Sequence, residues 1–313
     1  MSDAVSVRSA LFGLLAAALA ACALGAPAKP SKPIPAVEHV VLVSIDGLRP
    51  DLALRANMPT LRRMLNEGAY TFWAKTTEVS ITLPSHTSMV TGVTPEKHGV
   101  TWNDDLPAGR KIYPRYPTVM EMAQRAGYST AMIASKSKFT ALDKPGTLVD
   151  SFVPPRGSAP LDLGECASRV EALIADHVPE LLFVHFAEVD SAGHAKGWGS
   201  PEQIAAIERA DAALGRVFAA LDRASVRQST VVILSADHGG AGLTHGPDDT
   251  RSRHIPWIIV GPGIRHDYDL TRIASLKVRT EDSAATIAWL LGLPQPSYFD
   301  GMPVKAAFSG RTN

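Results

Sequence analysis

Cysteine is almost absent: only Cys22 and Cys166 carry a thiol in 313 residues. Cys22 lies in a leader-like segment, so the domain beyond it has no internal disulfide to form and depends on packing and bound ions. An excess of charge is missing too, since 31 Lys+Arg face 31 Asp+Glu. That balance argues against nucleic-acid binding through a basic face, although local groups can still hold a small anion. No internal repeat or low-complexity tract follows Pro35. The composition, 45% apolar and 20% charged, is that of an ordinary globular chain.

The apolar run Ala10–Leu24 is shorter than the ~20 residues of a comfortable membrane span. Arg8 precedes it, and small residues and the Pro/Lys stretch from Pro27 to Pro35 follow. This pattern reads as a signal peptide over residues 1–28 and implies export: periplasmic, anchored at the outer membrane, or secreted. Leu19-Ala20-Ala21-Cys22 resembles a bacterial lipobox, which would attach a lipid at Cys22; an incidental match in an Ala-rich segment stays open.

From residue 36 onward the pattern alternates. Val40–Ile45, Ser129–Ala134, Leu181–Phe186, Thr230–Ser235 and Pro256–Val260 are short runs apolar on both faces, as buried parallel strands are. Met58–Gly68, Pro117–Gly127, Pro201–Ala224 and Ser283–Leu291 carry helical spacing. Alternating strands and helices predict one α/β catalytic domain over residues 36–313, with a mostly parallel central sheet between helices. The irregular region from Trp102 to Pro160 is the candidate for a small cap.

Polar clusters follow the apolar strands. Asp46-Gly47 ends the first, and the Leu181 strand runs into Asp190-Ser191-Ala192-Gly193-His194. The Thr230 strand ends in Asp237-His238-Gly239-Gly240, with Thr244-His245-Gly246 beyond. Open α/β sheets bind ligands at the carboxyl ends of their strands, so these clusters should converge. Any one of these residues alone reads as a turn, a cap or a loop histidine. Three Asp and three His arriving together, beside glycines, suit divalent metals, with carboxylate oxygen and imidazole nitrogen as zinc's borderline ligands.

In Ser80-Ile81-Thr82-Leu83-Pro84-Ser85-His86, Pro84 fits the first turn of a helix running to Gly92. Thr82 would stand at its N-terminal end, where free N–H groups and the helix dipole favour phosphate. A metal-bound hydroxyl there loses its proton easily and becomes a nucleophile; a plain N-cap is the other use of such a residue.

Ser44-Ile45-Asp46-Gly47-Leu48-Arg49-Pro50, Thr82-Leu83-Pro84-Ser85-His86, His98-Gly99-Val100, Asp190 to His194, Ala236 to Gly240 and Thr244-His245-Gly246 follow in order. As a set they resemble the type I phosphodiesterase/nucleotide pyrophosphatase branch of the alkaline phosphatase superfamily, over roughly Glu38 to Val304. The resemblance implies two divalent metal ions, foremost Zn²⁺. Asp190, His194 and His245 would hold one, and Asp46, Asp237, His238 and the Thr82 oxygen the other. It also implies a covalent phospho-threonine at Thr82, an Asn103 that hydrogen-bonds a phosphoryl oxygen, and a small phosphorylated substrate. A surface amide is the other reading of Asn103.

Three departures bear on the substrate. Leu83 stands where nucleotide pyrophosphatases often carry a base-stacking aromatic, and the link from His238 to His245 is too short for their usual insertion. Lys136 and Lys138 resemble a stretch in phosphonoacetate hydrolases whose lysines meet the substrate's anionic groups; a solvated basic turn is the alternative. His86, His185 and His254 read as structural. A phosphodiesterase or pyrophosphatase is therefore the first expectation. A phosphomonoesterase, a phosphonate hydrolase or a cofactor-independent phosphomutase are related alternatives, and a lipid-anchored binding module is a non-enzymatic one.

Overall fold

The structure, a computed structural model, describes residues 29–105, 112–246 and 249–310. The expected leader and Cys22 lie outside the described residues. Eight strands form one sheet: β1 (His39–Ile45), β2 (Gly68–Lys75), β3 (Thr130–Ala134), β4 (Asp150–Phe152), β5 (Leu181–Phe186), β6 (Thr230–Ser235), β7 (His254–Val260) and β8 (Tyr268–Asp269). Their order is β4-β3-β5-β1-β6-β7-β2-β8. Only β7 runs against the rest, so the sheet is mixed and mainly parallel. β1, β3, β5 and β6 are buried along almost their whole length, which explains their unbroken apolar runs.

β1 lies between β5 and β6, pairing Ser44 with both His185 and Ser235. The carboxyl ends of three adjacent strands therefore deliver Asp46, the Asp190 segment and Asp237 to one place. Long helices cover the sheet; Pro201–Arg223 starts on a Ser200 cap and buries Ile207, Ala210, Leu214, Val217 and Leu221. No described helix is long and apolar enough to cross a membrane.

Two expectations need correction. The Trp102–Pro160 region is not a separate cap: its described part supplies β3, β4 and the Val119–Arg125 helix to the main body. The Asp190–His194 cluster is helical, within Glu188–Lys196. Helical spacing of four residues puts both side chains on one face.

Candidate metal centre and nucleophile

Asp46 follows β1 and Asp237 follows β6, both without solvent exposure. Gly47 between them adopts φ +75°, and a side chain there would meet the Asp190 Cα at 3.0 Å, so the sharp turn and the close approach both require glycine. Its N–H donates to Asp237 Oδ1 at 3.1 Å, and Trp198 Nε1 donates to its carbonyl at 3.0 Å.

The three aspartates share one design, in which one oxygen is held by protein and the other is bare. Asp46 Oδ2 accepts from Lys136 Nζ at 2.7 Å and from His185 Nε2 at 3.0 Å. Asp190 Oδ2 accepts from Lys136 Nζ at 2.5 Å. Asp46 Oδ1, Asp190 Oδ1 and Asp237 Oδ2 are buried with no hydrogen-bond partner among the described residues. Orphaned buried carboxylate oxygens are costly, and three together fit a cation's ligand set.

The histidines face these bare oxygens. Each of the three places Nδ1 on a backbone carbonyl: His194 on Leu243 at 2.9 Å, His238 on Gly239 at 2.8 Å, His245 on Ser80 at 2.9 Å. Donation from Nδ1 to a carbonyl leaves the Nε2 lone pair free, the arrangement by which metal-binding imidazoles are oriented. Ser80 reaches His245 by adopting φ +47°, strained for a non-glycine residue two positions before Thr82.

Two groups of ligand atoms result: Asp190, His194 and His245, and Asp46, Asp190 and His238. Asp190 Oδ1 is common to both, 3.4 Å from His194 Nε2, 3.7 Å from His245 Nε2 and 3.9 Å from His238 Nε2. Asp237 lies on the flank of the second group, its Oδ2 3.2 Å from His238 Nε2. All six expected ligands thus converge, with Asp190 shared between the groups. The mix of carboxylate oxygen and neutral imidazole fits divalent transition metals.

Electrostatics support this fit. Burial pushes His238 down to about 4, so its imidazole is neutral at pH 7. Burial alone would raise Asp46, yet the Lys136 ammonium and the His185 hydrogen bond hold it well below the carboxylate range. Asp237, desolvated and beside the charges of Asp46 and Asp190, is driven well above that range. Three buried carboxyl groups thus face one ammonium, and divalent cations would stabilise their ionised forms.

Thr82 is the first residue of the helix Thr82–Thr91, after Ile81 as the cap. The residue is 1% exposed, and its hydroxyl lies 3.4 Å from His238 Nε2. The expected cradle of free amides is narrower than a bare helix end. Leu83 N–H donates to Asn103 Oδ1 at 2.9 Å, and Pro84 has none, which leaves the N–H of Thr82 in the first three positions. Asn103 is thereby oriented, its Oδ1 on the helix and its Nδ2 without a hydrogen-bond partner among the described residues.

Buried histidines brace Thr82 and Asp46. His86 Nδ1 meets the Thr82 carbonyl at 2.8 Å, and Nε2 meets Ser44 Oγ at 2.8 Å. His185 Nδ1 accepts from Ser135 N–H at 3.2 Å, which makes Nε2 the donor to Asp46. Both are fully buried and act on the centre through other residues. His254 lies elsewhere, edge-on to Trp73. Ser44, Ser80 and Trp198 were not singled out from sequence, and no local pattern marks them.

The substrate-side expectations change most. Leu83 is fully buried against Val100 and Ala141, so its side chain cannot meet a substrate. Lys136 is neither a solvated turn nor a free substrate cation, because two of its three N–H groups are engaged by Asp46 and Asp190. Lys138 lines a cavity of about 310 Å³ with Asn103, Asp104, Lys136 and Ser158. Burial and the neighbouring Lys136 charge lower its ammonium.

A model of the family described as type I phosphodiesterase/nucleotide pyrophosphatase matches residues 40–252, more than half of the chain. The chain belongs to that family. It is 25% identical over 216 residues to an uncharacterised pyrophosphatase/phosphodiesterase of Schizosaccharomyces pombe, covering 64% of this chain and 44% of the relative. Over 220 residues it is 24% identical to ectonucleotide pyrophosphatase/phosphodiesterase family member 1 of Homo sapiens, covering 64% and 23%. The match thus spans less than half of either relative. Among solved structures, murine ectonucleotide pyrophosphatase/phosphodiesterase 5, an inactive form in complex with AMP, superposes with a TM-score of 0.72. It shares 16% identity and covers 87% of this chain and 100% of its own. A 2-O GAG sulfatase gives 0.70 at 14% identity, covering 90% and 74%. These two establish the fold.

Proposed function

We propose that this chain hydrolyses phosphodiester or pyrophosphate bonds by nucleophilic attack of Thr82 Oγ1, with two divalent metal ions, foremost zinc. The observation that carries the reading is the buried Thr82 hydroxyl beside His238, at the edge of three bare carboxylate oxygens. Asp190, His194 and His245 would hold one ion, and Asp46, Asp237, His238 and Thr82 the other, with Asp190 near both. Bound ions supply Lewis-acid stabilisation of the attacking and leaving oxygens. Asn103 Nδ2 donates to a phosphoryl oxygen while Oδ1 anchors the helix. The Thr82 Oγ–P bond forms as the bond from phosphorus to the leaving oxygen breaks; water then cleaves the phospho-threonine and restores the hydroxyl. The curated relatives named above are pyrophosphatases or phosphodiesterases, which supports the bond class. The leader-like first 28 residues support export.

A second reading, hydrolysis of a phosphonate or monoester with a further anionic group, is favoured by Lys138. Among the described residues no ion pair holds its ammonium, which faces the cavity beside Asn103. The buried Leu83 removes a base-stacking platform, so a nucleotide is not required by either reading.

Zinc-loaded protein assayed on bis-p-nitrophenyl phosphate, p-nitrophenyl phosphate, a thymidine 5′-ester and phosphonoacetate separates them. The diesters are expected to turn over fastest, and Thr82→Ala should lower that rate at least ~10³-fold at unchanged metal content. Inactivity of the loaded protein on all four substrates sinks the proposal; undiminished turnover by the Thr82→Ala protein sinks the covalent route.

A further inference from the structure

We propose that Lys136 is a resident cation of the metal centre, a positioning residue that clamps Asp46 and Asp190 by their outer oxygens and turns one bare oxygen of each inward. The inference rests on the metal centre proposed above. Lys136 follows β3, and its backbone is fixed from both sides. Ser135 N–H donates to His185 Nδ1 at 3.2 Å, Ser135 Oγ to the His185 carbonyl at 2.6 Å, and Phe139 N–H to the Lys136 carbonyl at 3.2 Å. From there the side chain runs inward, 11% exposed, to the two carboxylates at 2.7 and 2.5 Å.

The contacts divide without overlap. Lys136 takes Oδ2 of both aspartates, and the unpartnered atom of both is Oδ1. The Oδ1 atoms are the ones near the candidate ligand nitrogens, with Asp46 Oδ1 3.4 Å from His238 Nε2 and Asp190 Oδ1 3.4 Å from His194 Nε2, while the bracing His185 Nε2 joins Lys136 on Asp46 Oδ2 at 3.0 Å. A carboxylate whose second oxygen is held by an ammonium cannot chelate a cation through both oxygens. Lys136 therefore enforces single-oxygen ligation, and it holds two like charges together.

Thermal unfolding of chelator-treated and zinc-loaded protein tests the clamp, with wild type, Lys136→Met and the double variant Lys136→Met/Asp190→Asn compared. Removing the ammonium leaves two buried carboxylates without their cation, so chelated Lys136→Met is expected to melt about 10 °C below wild type. Zinc replaces the missing charge, so it should raise the Tm of Lys136→Met by more than it raises that of wild type. The double variant removes one negative charge and should regain most of the loss in chelator.

A chelated Lys136→Met within about 2 °C of wild type overturns the proposal. So does an equal zinc-induced rise in both proteins. If Lys136→Met does not fold without zinc, the double variant decides: a folded double variant supports the clamp, and an unfolded one assigns the loss to packing and overturns it. Wild type that melts as expected yet hydrolyses no phosphorus substrate would sink the hydrolase reading and leave the clamp standing.

Discussion

On the nucleophile side of the centre, Asp46, Asp237 and His238 show no exposure and Thr82 shows 1%, whereas on the other side His194 leaves 45% of its side chain in solvent. The buried residues sit directly on strand ends or at the start of a braced helix. The open side is carried by the Glu188–Lys196 helix and by the loop that bears His245, held by Leu243 and Ser80 carbonyls. Under the proposed attack by Thr82, an enclosed attacking side and an open His194 side would let one nucleophile serve leaving groups of different size.

The largest test of that contrast is ligand removal. His238→Ala should cost about 10³-fold in kcat/KM and one equivalent of zinc, while His194→Ala should cost nearer 10²-fold, because solvent can take up the open position. Zinc analysis and steady-state rates on bis-p-nitrophenyl phosphate measure both; equal losses would erase the distinction between the two sides.

Titration should separate the sides by sign. Burial lowers His238 to about 4, from about 6.5 when unfolded. The unfolded chain therefore takes up protons first, so the stability from keeping His238 neutral is full above about pH 6.5. It falls as pH drops towards 4, by roughly 1 kcal/mol per pH unit. His194 runs the other way, because its contact with Asp190 raises it. Its contribution is full below about pH 6.5 and is lost as pH rises through its folded pKa. In chelated protein, histidine NMR resonances should show His194 titrating above 6.5 and His238 silent until well below it. A His238 that titrates near 6.5 refutes the account.

The smallest effect is expected at Cys166, which meets the centre only through the His185 carbonyl, 3.6 Å from its Sγ. It is fully buried, and burial pushes its thiol up to about 11. Folded protein at pH 8 should resist a thiol reagent and become labelled in denaturant, with no loss of activity traceable to the thiol.

Much of this was legible in sequence. Leu181–Phe186 and Thr230–Ser235 match their strands residue for residue, since a run buried on both faces ends where the polar cluster begins. β2 was missed because Gly68 reads as a helix stop, and Gly-Ala-Tyr-Thr-Phe-Trp-Ala-Lys alternates poorly around a register shift. The helix Leu163–Asp176 was missed despite Asp162 capping the Glu165 N–H. That the six candidate ligands converge was legible because residue type and strand-end position suffice for it. Lys136 was misread because its partners stand 90 and 54 positions away, a distance no local pattern encodes. Ser80 escaped because only its backbone angle betrays it.

The position of β1 between β5 and β6 also bears on the order of events during folding. Residue 46 cannot join its co-ligands until the chain has been made and folded past residue 238, because β6 pairs with β1 across some 190 positions. Such non-local pairings form late. Metal uptake at the candidate centre would then report that the middle of the sheet has closed, and an ion there would act as a latch on topology: binding the finished arrangement, it would hold it against reopening by mass action.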